Sequence, residues 1–222
     1  SHLTLGLLAA LIHGHALAQN SDAQRLLIEQ GHFWQGQDKP KRAAEVWNKL
    51  LQLDERQPDA LYGLGLIAVK DADLKKAREY LTRLQAVDPA ARETLQLAQD
   101  IRLAEPVNAR LLEQARQAVD NDERAKADEL YRQALDGKPA QGLVGREYYN
   151  NMGFLDESRW PESRSGFERL LRERPDDPYV ALFFAKQLVR RDANRAEGIR
   201  ALEKLAQRED IGGDAAETWR LA

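Results

Sequence analysis

Two stretches of this chain align without a gap at an offset of 34 residues, and that periodicity limits the available folds more than any other property. They are Ala43-Ala-Glu-Val-Trp47-Asn-Lys-Leu50-Leu-Gln-Leu-Asp54 and Ala77-Arg-Glu-Tyr-Leu81-Thr-Arg-Leu84-Gln-Ala-Val-Asp88. A third copy is Ala127-Asp-Glu-Leu-Tyr131-Arg-Gln-Ala134-Leu135, closed by Pro139, and a fourth is Ser163-Arg-Ser-Gly-Phe167-Glu-Arg-Leu170-Leu171, closed by Pro175. A looser fifth runs through Gly198, Leu202 and Leu205. In each, a small residue is followed at i+4 by a large one and at i+7 by another apolar side chain, which is one face of a helix. The small residue (Ala43, Ala77, Ala127) belongs where two helices cross closely. The large one (Trp47, Leu81, Tyr131, Phe167) fills the space between layers. A closing Pro ends the second helix by removing a donor and crowding the preceding turn.

A hairpin of this kind cannot bury its apolar face alone, so neighbours must stack. The period is that of the tetratricopeptide repeat (TPR). Asp59-Ala-Leu-Tyr62-Gly-Leu64-Gly65-Leu-Ile-Ala68 has the Leu-Gly and small-residue positions of a first TPR helix, and Pro178-Tyr-Val-Ala-Leu-Phe-Phe-Ala185 fits less strictly. The expected fold is all-α, a right-handed superhelical TPR solenoid of about five helix-turn-helix repeats with a non-TPR helical insertion after the second. The insertion follows from the interval Ala77 to Ala127, which is 50 residues. Its surplus holds a helix-like run, Glu93 to Leu103, ended by Glu105-Pro106. The expected organisation is 21–91, two repeats; 92–107, inserted helix and hinge at Ala104, Glu105 and Pro106; and 108–222, about three repeats cut short at the C-terminus.

Residues 1–20 stand apart. Ser1-His2 reads as a cloning scar, and Leu3 to Ile12 is apolar but shorter than the roughly 20 residues a bilayer span needs. Ala16-Leu-Ala18 has the small-x-small form of a signal-peptidase site. The stretch is expected to be a signal-peptide remnant, which would put the protein outside the cytoplasm. The other reading is an amphipathic helix packed on the solenoid.

The chemistry of an enzyme is not apparent. No Ser lies in a nucleophile elbow and no phosphate loop occurs; Gly63-Leu-Gly65 has no strand before it. Cysteine is absent and the four histidines are His2, His13, His15 and His32. His13-Gly-His15 would at most bind a metal weakly. With 33 Lys+Arg against 36 Asp+Glu, the net charge of −3 gives no general attraction to nucleic acid. The expectation is a binding protein without catalytic residues, metal or cofactor.

Binding is expected on the first helices, which line the concave face of a TPR stack. Counting back from each second helix selects Arg25 and His32, then Tyr62 and Lys70, then, with the register slipped by a residue or two, Tyr148, Asn150, Asn151 and Phe154, then Tyr179, Lys186 and Arg190. Tyrosines among amides and cations suit a peptide. They suit equally a sugar whose ring faces stack on them. The two ligands are not separable at this point.

Four motifs carry a family resemblance: Ala23-Gln-Arg-Leu-Leu-Ile-Glu-Gln-Gly-His-Phe-Trp-Gln-Gly36, Pro58-Asp-Ala-Leu-Tyr-Gly-Leu-Gly65, Gly145-Arg-Glu-Tyr-Tyr149, and Ala181 to Arg200. Over nearly all of residues 21–222 they make the chain resemble the N-terminal TPR region of the cellulose-export outer-membrane proteins of bacterial cellulose synthase. The resemblance implies a periplasmic TPR region that follows a signal peptide and precedes an outer-membrane β-barrel for glucan export. It implies protein subunits of the cellulose synthase complex as partners, with nascent β-1,4-glucan or peptidoglycan as further candidates. A TPR adaptor of another envelope-assembly system is the alternative.

Overall fold

The computed structural model describes residues 21–222. The signal-like stretch and His2, His13 and His15 lie outside the described residues. The chain divides into two compact units between Ala104 and Glu105. Unit one holds α1 (residues 21–36), α2 (Pro40–Leu53), α3 (Pro58–Lys70), α4 (Leu74–Val87) and α5 (Arg92–Ala104). Unit two holds α6 (Pro106–Asp120), α7 (Arg124–Leu135), α8 (Gly142–Met152), α9 (Trp160–Glu173), α10 (Pro178–Val189), α11 (Arg195–Leu205) and α12 (Gly212–Arg220). The described residues contain no strand. The fold is an all-α TPR solenoid, with α1/α2, α3/α4, α6/α7, α8/α9 and α10/α11 as its hairpins.

Local chemistry sets the helix ends. Pro40, Pro58, Pro106 and Pro178 open their helices, where the missing N–H costs nothing. The Gln57 side chain accepts from the Asp59 and Ala60 amides, and Asp177 accepts from those of Tyr179 and Val180. Each thereby satisfies donors left over by the first turn. Three of the hairpin turns are alike. Asp38, Ala72 and Asp122 each sit at the centre of a three-residue link with φ of 51°, 58° and 59°. In each turn the residue after that centre donates back across the helix end, as in Asp73 N–H to Ala68 O at 2.9 Å and Glu123 N–H to Ala118 O at 2.8 Å. This is the Schellman closure, made here without glycine.

Packing follows the repeat. Ala43, Ala77, Ala127, Ser163 and Gly198 are all buried, and each is the fourth residue of its second helix. Trp47, Tyr131 and Phe167, one turn later, are buried too. Trp47 is the tightest case. Its indole lies against Gly31 of α1 and Gly63 of α3, and a Cβ added at either glycine would collide with the ring. Both glycines are therefore dictated by the tryptophan between them.

Ala77 shares a cluster with Leu61, Ala68, Leu84, Leu97 and Ile101, where α3, α4 and α5 meet. Ala77→Leu should overpack this crossing and cost roughly 1–3 kcal/mol, read from urea denaturation. An unchanged midpoint would mean that α4 has been placed in the wrong register.

The surplus in the 50-residue interval is α5. It packs on α3 and α4, in the place that the first helix of a third repeat would take, but no second helix follows it within the unit. In unit two a largely buried ion pair joins α7 to the short 3-10 turn Glu157–Arg159 ahead of α9. Arg159 donates to both Asp128 carboxylate oxygens, at 2.8 and 3.2 Å. The Asp128 side chain is only 7% exposed and that of Arg159 23%.

Candidate functional site

The inner face of unit two is built by its first helices. On α10, Tyr179, Phe183, Lys186 and Arg190 fall at i, i+4, i+7 and i+11, so a single stripe carries two rings and two cations. Leu182, Ala185 and Leu188 between them are buried. Arg146 of α8 reaches across to this stripe. Its guanidinium lies 5.3 Å from the centre of the Tyr179 ring and 5.2 Å from that of Phe183. The Lys186 ammonium is 5.8 Å from the same Phe183 ring. Near the other end of α10, Arg190 and Arg124 lie 4.3 and 4.8 Å from the centre of the Phe154 ring.

Beside these stacks is a concave pocket of about 320 Å³ between α6, α8 and α10. Its lining includes Arg116, Glu147, Asn150 and Phe183, with the buried Tyr131 behind them. Arg116 and Glu147 pair through two contacts of 3.1 and 3.3 Å. Asn150 accepts from the Gln187 amide at 2.8 Å. Behind the face, Arg191 donates to Gly153 O at 2.8 Å and Gln187 O at 2.9 Å while stacking 3.9 Å over Trp160. These bonds hold α8 and α10 at a fixed spacing, which positions Arg146 between the two α10 rings.

Of the residues expected from sequence, Tyr179, Lys186 and Arg190 do come together on this face. Tyr148 and Asn151 do not. Tyr148 is buried, its ring packed 5.7 Å from Tyr131 and 5.3 Å from Tyr149, and burial pushes its hydroxyl pKa up to about 12. Asn151 is buried and donates to Arg124 O at 3.0 Å. The outward positions of α8 include Arg146, Glu147 and the expected Asn150. α8 is turned so that Tyr148 packs on Tyr131 of α7 and Asn151 bonds the first residue of α7, a contact that counting back from α9 does not report. Arg146 and Phe183 were not selected from sequence. The i, i+4 spacing of Tyr179 and Phe183, followed by Lys186 and Arg190, is the signal that would have identified Phe183.

In unit one, Arg25 is exposed on α1 and pairs with Asp22 at 3.4 Å and Glu29 at 3.7 Å. His32 of α1 meets Asp59 of α3 at 3.2 Å, and that bond is the chief cause holding the Asp59 carboxyl below its usual range. Lys70 closes α3 and pairs with Asp38 at 2.9 Å. Tyr62 is half-buried against the α3–α4–α5 cluster. Ala104 ends α5, Glu105 is the extended residue ahead of α6, and Pro106 is the first residue of α6. Among the described residues, no group of three or more His, Asp or Glu is placed to hold a metal ion. No helix among them is long and apolar enough to cross a membrane.

No protein-family model matches the chain. It is 53% identical over 221 residues to the cellulose synthase operon protein C of Pseudomonas fluorescens (strain SBW25), covering 99% of this chain and 17% of that protein. It is 37% identical over 221 residues to the protein of the same name from Xanthomonas axonopodis pv. citri (strain 306), covering 96% of this chain and 14% of that one. The chain thus spans well under a fifth of these relatives. Among solved structures, the flexible tandem repeat domain of a bacterial cellulose synthase component matches with a TM-score of 0.57 and 20% identity, covering 90% of each chain. That likeness shows the fold.

Proposed function

This chain is homologous, over nearly its whole length, to a segment of the cellulose synthase operon protein C sequences, and from that premise we propose that it is a non-catalytic TPR scaffold of a cellulose synthesis and export complex. It works in the periplasm, making protein–protein contacts between the synthase and the outer-membrane export pore. The observation that carries this reading is the 53% identity sustained over 221 residues, on a fold that presents its first helices as open faces. A repeat stack of this kind offers area and side-chain variety without a reaction centre.

The test is direct binding of the purified chain to each purified protein of the synthase complex and to the export barrel. Saturable binding to at least one of them is expected. Binding to none, with the chain shown to be folded, overturns the scaffold.

A second reading, a guide for the nascent β-1,4-glucan, is favoured by one observation: Tyr179 is 46% exposed. Titration with cello-oligosaccharides, followed by Trp fluorescence and calorimetry, separates the two. No binding at millimolar sugar is expected. Saturable binding that disappears in Tyr62→Ala and Tyr179→Ala would make the chain a glucan guide.

A further inference from the structure

The net charge of the chain is −3, yet cations collect on one face of unit two. Arg124 and Arg190 share the Phe154 ring, while Arg146 and Lys186 share that of Phe183. Of the neighbouring carboxylates, Asp122 pairs with Arg124 at 3.0 Å, Glu147 with Arg116 and Glu157 with Arg191 at 3.4 Å, while Asp120 lines the adjoining pocket. Arg146, Lys186 and Arg190 have their ring contacts and no ion pair among the described residues. Like charges gathered so closely repel one another, and an anionic partner relieves the repulsion.

The stacking itself indicates what kind of anion. A guanidinium lying over a ring keeps its N–H edge free, and that planar edge matches a carboxylate through two parallel hydrogen bonds. The ring also restrains the side chain before any ligand arrives, so less rotamer entropy is lost on binding. A neutral glucan needs bare ring faces for its sugars, and guanidinium groups already lie over Phe154, Tyr179 and Phe183. Spacing supplies a further constraint. Lys186 and Arg190 are one turn apart, about 6 Å. Side chains at alternate positions of an extended strand lie on one side about 7 Å apart. Between carboxylates, the partly exposed rings of Phe154 and Tyr179 offer apolar contact.

We propose that the cationic stripe of Arg146, Lys186 and Arg190, stacked on Phe154, Tyr179 and Phe183, docks an extended acidic segment of a partner protein with carboxylates at alternate positions. This rests on the scaffold reading above and specifies the partner of that face.

The probe is a fluorescein-labelled peptide of alternating Glu and Ala, with its Gln-Ala counterpart as the neutral control, measured by anisotropy against the whole chain. The Glu peptide should bind and the Gln peptide should not. Arg146→Gln and Arg190→Gln should each weaken binding roughly tenfold or more, the scale of a lost charged hydrogen bond. Arg172→Gln, an exposed position on α9, should leave it unchanged, and added salt should weaken binding steeply. Thermal melts of all three variants should match the parent, since the replaced groups are not core.

Equal binding of the two peptides overturns the proposal. So does an equal loss in Arg172→Gln, which would mean unspecific charge attraction. Binding of cellohexaose that is lost in Phe183→Ala and indifferent to Arg146→Gln also overturns it, in favour of glucan. If the Glu peptide binds as described while no protein of the synthase complex binds the chain, the docking face stands and the scaffold role falls.

Discussion

Trp47→Ala should destabilise unit one by roughly 3–5 kcal/mol, the range for removing a fully buried tryptophan. Trp47 is 0% exposed and shares its cluster with Ala43, Leu50, Ala60 and Leu64. The cost belongs at the upper end for a geometric reason. The indole is flanked by Gly31 and Gly63, so two sides of the cavity left behind are backbone. Glycine has no side chain to swing into the space, and the backbones of α1 and α3 cannot close it without breaking their own hydrogen bonds. Urea denaturation gives the loss, and amide exchange across α1 to α4 should speed up with it. Trp47→Phe should lose less, because a ring still fills part of the slot. A loss under about 1 kcal/mol for the alanine variant would mean that the indole is not the wedge between α1 and α3.

Asp128→Ala is expected to cost unit two about 3 kcal/mol, at the lower end of the range for breaking a buried ion pair. Arg159 would lose both of its short bonds to Asp128 and would keep only the more distant Glu162, at 3.4 Å. Its partial exposure lets it find some water, which is why the lower end applies. Most of the loss reflects a half-buried cation left without its closer partner. The double variant Asp128→Ala/Arg159→Met should therefore be more stable than Asp128→Ala alone. Strict additivity of the two single losses would show that the pair contributes nothing as a pair.

The core was more legible in the sequence than the binding face, for a physical reason. Ala43, Trp47, Ala77, Ala127, Tyr131 and Phe167 are each placed by the second helix itself, and every second helix starts three residues ahead of its small position. A pattern local to one helix survives any change in the loops around it. The inner face is a different matter, because its residues were reached by counting across a turn. Across residues 190–194 the count reaches Tyr179, Lys186 and Arg190, which share a stripe of α10. Across residues 153–159 it reaches Tyr148 and Asn151, which pack into the core against α7. Arg146 left no trace of its own. Its role comes from lying opposite Tyr179 and Phe183, which are 33 and 37 positions further along the chain.

The lone helix α5 has a consequence for how such chains change length. It packs Leu97 and Ile101 against the core of α3 and α4, while Gln96, Gln99 and Leu103 on its opposite side are buried as well. A duplication or deletion that parts α5 from α3 and α4 would leave Leu61 and Leu84 facing water. Genes for repeat proteins of this kind should therefore tolerate junctions that keep this three-helix group whole and lose folding competence where the group is divided.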